Sequence, residues 1–339
     1  MKRIVLLSLV LVVLIAACAP APTPAPTAAP PTKAPEPPKP AMPALKPAKL
    51  ALSTGGTAGT YYPFGGAMAN IWAQNLPGIS VTAESTGASV ENIRLLDKKT
   101  SDLALIQNDT ADQAKNGTEA FNGTKIKVSA IAALYPEFIQ IVVNPDSGIK
   151  MLTDLKGKRV VVGAPGSGTE INARAILEGV GITYKDLGKV SQVSFAEGAN
   201  AYKDRQIDAM FLTAGLPNAA IQDVATLQAI TILPITGDTA KQVQSKNPFF
   251  VSVKVPANTY KGQDKEVETL AVLATLVCRP DLDADLVYAL TKTLFDKQAD
   301  LAKAHAKGKE LDKALAVKGL TIDFHPGALK YYKEIGAIK

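Results

Sequence analysis

Hydrophobic patterning between residues 50 and 339 predicts strands that alternate with helices. Short apolar runs such as residues 103–106 and 159–163 are followed by Gly, Ser, Thr or Asn, and then by amphipathic segments such as Ser89–Asp97. Short apolar runs are typical of buried strands, and apolar positions three and four apart are typical of helices. Strands and helices in this order indicate βαβ units with parallel sheets, which gives an α/β fold class.

The alternation occurs in two series, which residues 138–144 join. About 290 residues exceed the usual size of one hydrophobic core, so we expect two lobes. The chain returns through residues 249–255 to residues 266–313, which we expect to be helical and to pack on the first lobe, with two strands crossing between lobes. The predicted boundaries are residues 50–140 plus 251–339 for lobe 1 and residues 141–250 for lobe 2.

The first eighteen residues have the features of an export signal. Lys2 and Arg3 precede an apolar run, residues 4–15, that only Ser8 interrupts. This run is shorter than the roughly 20 residues that span a bilayer as a helix, and it suits a secretory signal peptide. Residues 15–18 (Ile-Ala-Ala-Cys) resemble a bacterial lipobox, so we predict a lipoprotein signal peptide over residues 1–18 and lipidation of Cys18.

Residues 19–49 are predicted to be a tether. Twelve of these 31 residues are proline, which lacks the amide donor and favours an extended polyproline II chain. Five of the six net positive charges also lie before residue 50, so the folded part carries about +1. It has no basic surplus for nucleic acid. We therefore expect an exported module, lipid-anchored at the membrane and facing the periplasm or the cell exterior.

Five loops follow predicted strands and have a common composition. They are rich in Gly, Ser, Thr, Asn and Gln and nearly lack charge, and they comprise residues 53–61, 85–89, 107–109, 163–169 and 213–218. In open α/β sheets, ligands bind beyond the carboxyl ends of the strands, where helix N-termini present amide donors. Amides and hydroxyls in this arrangement predict a site for a carboxylate.

Two of these loops have features of their own. Residues 163–169 lack the lysine of a phosphate-binding loop and the glycines of a nucleophile elbow. A helix N-terminus that holds an anion and a plain capped turn both remain open there. Residues 55–66 combine five glycines with Tyr61 and Tyr62, which predicts aromatic side chains that close over a ligand and donate a phenol hydroxyl.

Candidate catalytic and metal-binding residues are few. His305 and His325 lie far in sequence from the five loops and lack metal-ligand spacing. We expect no metal and no cofactor, and we expect Cys278 to be a buried small hydrophobic residue. Glu137 and Asp109 lie at predicted strand ends, and acid–base chemistry there stays open.

Nine short motifs follow one another along the chain: residues 56–63 (GTAGTYYP), 87–92 (GASVEN), 102–109 (DLALIQND), 154–160 (DLKGKRV), 166–169 (GSGT), 206–209 (QIDA), 215–217 (GLP), 256–260 (PANTY) and 325–328 (HPGA). This ordered set resembles the TAXI family of TRAP-transporter solute receptors, and the resemblance covers essentially all of residues 50–339.

The resemblance implies a two-lobe type II periplasmic-binding-protein fold with an interlobe ligand cleft and hinge strands. It implies a receptor, not an enzyme, that delivers a glutamate-like amino acid or a C4–C5 dicarboxylate to a fused TRAP permease driven by an ion gradient. The ligand-binding residues it implies are Thr57, Thr60, Tyr61, Ser89, Gln107, Tyr135, Ser167, Gly168, Thr169, Thr213, Gly215 and Pro217.

Three alternatives to a TRAP receptor have distinct structural consequences. A receptor for an ABC importer or a sensor kinase would have the same fold. An exported hydrolase using Ser167 requires a histidine within reach of that hydroxyl. A purely structural surface lipoprotein would have no closed cavity between its lobes.

Overall fold

The computed structural model describes residues 42–339, so Cys18, the predicted signal peptide and most of the predicted tether lie outside the described residues. The strands are β1 (Ala48–Ser53), β2 (Ile79–Glu84), β3 (Leu103–Gln107), β4 (Ser129–Val143), β5 (Arg159–Val161), β6 (Lys189–Ser191), β7 (Ala209–Ala214), β8 (Thr231–Leu233), β9 (Val251–Val255) and β10 (Val267–Cys278). β1 therefore begins two residues inside the predicted tether.

The helices follow the strands as the alternation predicts. They are α1 (Tyr61–Asn75), α2 (Ser89–Asp97), α3 (Asn108–Asn116), α4 (Gly168–Gly179), α5 (Phe195–Lys203), α6 (Ala219–Leu227), α7 (Gly237–Lys246), α8 (Ala284–Asp296), α9 (Gln298–Ala304) and α10 (Pro326–Glu334). Within residues 42–339, no helix combines the length and apolar character that crossing a membrane requires.

One mixed sheet runs through the molecule in the order β2-β1-β3-β10-β4-β7-β5-β6, with β8 beside β4 and β9 beside β10. The two ends of the sheet, β2-β1-β3 and β7-β5-β6, are parallel. Among the strands of residues 42–339, β10 and β4, in the middle of this order, are antiparallel to the neighbour on each side. Each parallel end with its helices forms one lobe: lobe 1 contains β1–β3 and lobe 2 contains β5–β7.

β4 and β10 are the strands that cross between the lobes. In β4, residues up to Tyr135 pack in the two hydrophobic clusters of lobe 1, whereas those from Ile139 pack in the two clusters of lobe 2. In β10, Val272 still packs in a cluster of lobe 2, whereas Ala274 packs in a cluster of lobe 1. Two long strands thus supply both hinge segments, at the centre of the sheet.

The expectation of a helix over residues 266–313 was wrong for its first quarter, which is β10. This strand lies between β3 and β4 and is buried on both faces, so it lacks the polar alternation that marks a strand. The second crossing was also predicted wrongly at residues 249–255, because β9 pairs only with β10. Val255 and Tyr260 pack in a lobe 2 cluster, which favours a second lobe boundary near residue 273 instead of 250/251.

Candidate functional site

A cavity of about 80 Å³ lies at the carboxyl ends of the parallel strands, and residues of both lobes line it. Each of the five loops singled out in the sequence contributes to its wall. Eight of the twelve predicted ligand-binding residues line it: Thr60, Tyr61, Ser89, Gln107, Ser167, Gly168, Thr169 and Thr213. The loops meet because parallel strands end at one edge of the sheet, and each lobe presents that edge to the other.

The other four predicted residues lie outside the wall of this cavity. Thr57 is exposed on its loop. Tyr135 is buried beneath Lys307, whose Nζ is 5.4 Å from the centroid of its ring. Gly215 packs against the same lysine, and Pro217 is exposed and lines a second cavity of about 160 Å³ with His305 and Lys307.

Two helix N-termini have unpaired amides among the residues that line the cavity. Ser89 is the first residue of α2, and Gly168 and Thr169 are the first residues of α4. No acceptor within residues 42–339 receives the amides of these three residues, whereas the next amide of α4, that of Glu170, donates to Ser167 Oγ at 3.1 Å. These unpaired donors and the positive ends of two helix dipoles make this side of the cavity favourable for binding an anion.

A close approach at Gly168 joins the two lobes beside these amides. A Cβ at this position would collide with the side-chain oxygen of Gln107 and would lie 2.9 Å from Ser89 Oγ. Gln107 and Ser89 belong to lobe 1, and Gly168 opens the first helix of lobe 2. Glycine is therefore required for this contact.

A buried carboxyl group forms another part of the wall. Glu137 lies on β4, is 2 % exposed, and accepts a hydrogen bond of 2.6 Å from the Tyr61 phenol. Burial raises the pKa of Glu137 to about 8, although hydrogen bonds from Tyr61 and Gln107 oppose the rise. The phenol proton of Tyr61 is thus donated to Glu137 within the protein.

A second buried carboxyl group bridges the lobes just outside the cavity. Asp109, in the first turn of α3, accepts hydrogen bonds from the amide of Thr110 at 2.7 Å and from Asn172 Nδ2 of α4 at 2.8 Å. Burial raises the pKa of Asp109 to about 6, and these hydrogen bonds hold it lower than burial alone would. The amide of Val90 adds a further interlobe bond to Gly166 O at 3.1 Å.

The arrangement gives Ser167 no histidine. His305 packs on the ring of Phe64, with centroids 5.2 Å apart, and His325 caps α10 by accepting the amide of Gly327. Neither histidine lines the cavity, and the Ser167 hydroxyl caps α4. The hydrolase alternative therefore has no geometric support. Among residues 42–339, no group of His, Cys, Asp and Glu is placed to hold a metal ion. Cys278 is buried and unpaired, as expected.

Three residues of the wall lie outside the five predicted loops. The sequence marks Glu137 as an acidic residue at a strand end but does not assign it to the pocket. Ser194 and Phe195 form a sixth loop, after β6. The signal for this loop was the capping box of Ser194 and Glu197, which starts α5 at Phe195.

Two lobes joined by crossing strands, with a cavity at the facing helix N-termini, define a solute-binding protein of the periplasmic type. A model of the NMT1-like family matches residues 52–336. The chain belongs to this family, a family of periplasmic solute-binding proteins.

Solved structures of the same fold are distant in sequence. A protein of Bordetella bronchiseptica RB50 is 18 % identical with a TM-score of 0.51, and the match covers 86 % of this chain and 89 % of that one. The binding-protein component of an ABC phosphonate transporter of Pseudomonas aeruginosa is 15 % identical with a TM-score of 0.50, over 77 % and 79 % of the two chains. These likenesses confirm the predicted two-lobe α/β fold.

Proposed function

We propose that this protein is the extracytoplasmic receptor of a TAXI-type TRAP transporter and captures a small carboxylate-bearing solute between its lobes. The observation that carries the proposal is the set of unpaired amides of Ser89, Gly168 and Thr169, residues that line one cavity from two helices of opposite lobes. A carboxylate bound there would bridge the lobes and favour their closed arrangement.

The cavity suits a compact solute. Its volume of about 80 Å³ has room for roughly five to eight water molecules, at about 10–15 Å³ each. Backbone amides hold a carboxylate by charge-assisted hydrogen bonds without the arginine that many carboxylate sites use. Amino acids and C4–C5 dicarboxylates have this size and chemistry.

The family and the fold leave the kind of transporter open, and the ordered motifs from Gly56 to Ala328 favour the TRAP type. A second candidate is the receptor of an ABC importer, because the phosphonate-transporter component of Pseudomonas aeruginosa shares the fold. Reconstitution of the receptor with the membrane protein encoded beside it distinguishes the two. Uptake driven by a sodium gradient without ATP supports the proposal, and uptake that requires internal ATP overturns the TRAP assignment.

Ligand capture is tested by thermal unfolding of the protein, freed of bound solute, against a panel of amino acids, 2-oxo acids and dicarboxylates. A ligand that binds only the folded state adds about 2.7 kcal/mol to the free energy of unfolding at a hundredfold excess over Kd. We expect at least one panel member to raise the Tm in this way. If no panel member raises the Tm, carboxylates are excluded as the ligand class.

Gly168→Ala places the test on the proposed site, because its Cβ would displace Gln107 from the interlobe contact. We expect the variant to fold and to lose the ligand-induced shift in Tm. Gly66→Ala is the matched control, because a Cβ at Gly66 in α1 meets nothing within 4 Å. It should keep the shift and add roughly 0.5–1 kcal/mol of stability through helix propensity.

A further inference from the structure

The wall of the cavity has an uncompensated buried carboxyl group. Glu137 is the sole Asp or Glu among its lining residues in the described part of the chain, and no Lys or Arg accompanies it. Burying a charge without a partner is costly, and buried charges are normally paired. A glutamate in this position therefore needs either a proton or a positive group from outside the protein.

The surroundings of Glu137 favour its ionised form when a positive group is present. Tyr61 donates its phenol proton to Oε2, and the nearby Gln107 side chain lowers the pKa of the carboxyl group. A carboxyl group with polar donors beside it is prepared to be an anion. Asp109 differs, because three donor groups inside the protein satisfy it, and it lies outside the wall.

We propose that Glu137 receives a protonated amine of the ligand, so that the receptor selects a zwitterion with a carboxylate and an ammonium group over a dicarboxylate or a 2-oxo acid. This inference rests on the proposed function, which places the carboxylate at the amides of α2 and α4. Glu137, on β4, then supplies the other pole of the same site.

Capture should also release a proton. The empty site holds Glu137 mostly protonated at pH 7, because burial raises its pKa to about 8. When the ammonium ion binds, the carboxyl group gives its proton to solvent and forms an ion pair with the ligand. The other charged or titratable groups around Glu137 are Tyr61, Tyr135, Asp109 and Lys307, and Lys307 is paired with Glu310 at 2.6 Å.

The test is calorimetric titration of the receptor with matched ligands that differ at one carbon. The first set is glutamate, 2-oxoglutarate and glutarate. Two further pairs are alanine with pyruvate, and leucine with its 2-oxo acid. We expect an amino acid to bind at least about 10-fold more tightly than its 2-oxo acid. In two buffers with different ionisation enthalpies, binding at pH 7 should release close to one proton, and the release should fall as the pH approaches 8.5.

Glu137→Gln keeps the size of the side chain and an acceptor for Tyr61 but cannot carry the charge. We expect it to fold, to bind the amino acid roughly 10- to 100-fold more weakly, and to release no proton. Glu178→Gln, at an exposed position of α4, is the matched control and should behave as the wild type.

The outcomes separate this inference from the proposed function. A 2-oxo acid or glutarate that binds as tightly as the amino acid overturns the inference and leaves a carboxylate receptor. Proton uptake on binding, or unchanged proton release in Glu137→Gln, also overturns it. Failure of every ligand to bind removes the carboxylate class itself, and the inference with it.

Discussion

The phenol of Tyr61 and the carboxyl group of Glu137 are 2.6 Å apart, and both side chains are buried in the wall of the interlobe cavity. Tyr61 opens α1 and Glu137 lies near the middle of β4, where that strand passes from one lobe to the other. The hydrogen bond therefore links the glycine-rich loop after β1 to a crossing strand. It also lowers the cost of an ionised carboxyl group in a buried position.

Tyr61→Phe tests this link. The variant removes a buried hydrogen bond to a carboxyl group, so we expect a loss of roughly 1–3 kcal/mol in the free energy of unfolding. The pKa of Glu137 should rise further, because the bond from Tyr61 lowers it. Chemical denaturation at pH 7 measures the loss. Tyr62→Phe, at the exposed neighbour, should change stability little, and equal losses in the two variants would contradict the role of the bond.

The pH dependence of stability should reflect the two buried carboxyl groups. Burial raises the pKa of Glu137 from 4.5 to about 8 and that of Asp109 from 3.8 to about 6. For each group, at a pH between its unfolded and its folded pKa, the folded state binds more protons than the unfolded state. The free energy of unfolding should therefore fall as pH rises through this window, by up to about 1.4 kcal/mol per pH unit for each group.

Glu137→Gln isolates the contribution of one group to this slope. We expect the free energy of unfolding of this variant to fall less between pH 6 and 8 than that of the wild type. The decrease below pH 6 that Asp109 causes should remain. Urea unfolding of the ligand-free protein at pH 5 to 8.5 gives the two curves. Glu178→Gln should keep the wild-type slope, and a Glu137→Gln curve parallel to the wild type would show that Glu137 does not titrate in this range.

The position of the polar loops was accessible from sequence, because it follows from the strand–helix order alone. Eight of the predicted residues line one cavity for that reason. The pairing of Tyr61 with Glu137 was not accessible, because it depends on where a residue 76 positions away crosses the sheet. β10 was missed for a related reason: a strand buried on both faces shows no polar alternation, and only its two neighbours in the sheet explain its pattern.

Lipidation of Cys18 remains a prediction of the sequence. Cys18→Ala should block acylation, so we expect the protein to move from the membrane fraction to the aqueous fraction after detergent phase partitioning. Metabolic labelling with radioactive palmitate should label the wild type alone. Wild-type protein that takes up no label and partitions into the aqueous phase would contradict the lipobox interpretation.

Asn172→Ala tests the bond between the lobes. Its amide donates to Asp109 at 2.8 Å, and both side chains are buried. Removing a donor from a buried carboxylate costs roughly 1–3 kcal/mol. The pKa of Asp109 is about 6, so the group is ionised at pH 8 and mostly protonated at pH 5. The loss of stability should therefore be larger at pH 8.

The same bond should contribute to ligand capture, because it joins α3 of lobe 1 to α4 of lobe 2. We expect Asn172→Ala to weaken the binding of any ligand that the closed cavity holds, since closure loses one of its contacts. Asn116→Ala is the matched control, because Asn116 is an exposed residue of α3 that bonds only Asp112 of its own helix. Denaturation curves and ligand titrations of both variants at pH 5 and pH 8 decide the question. A pH-independent loss of stability in Asn172→Ala would mean that packing, and not the charge of Asp109, carries the effect.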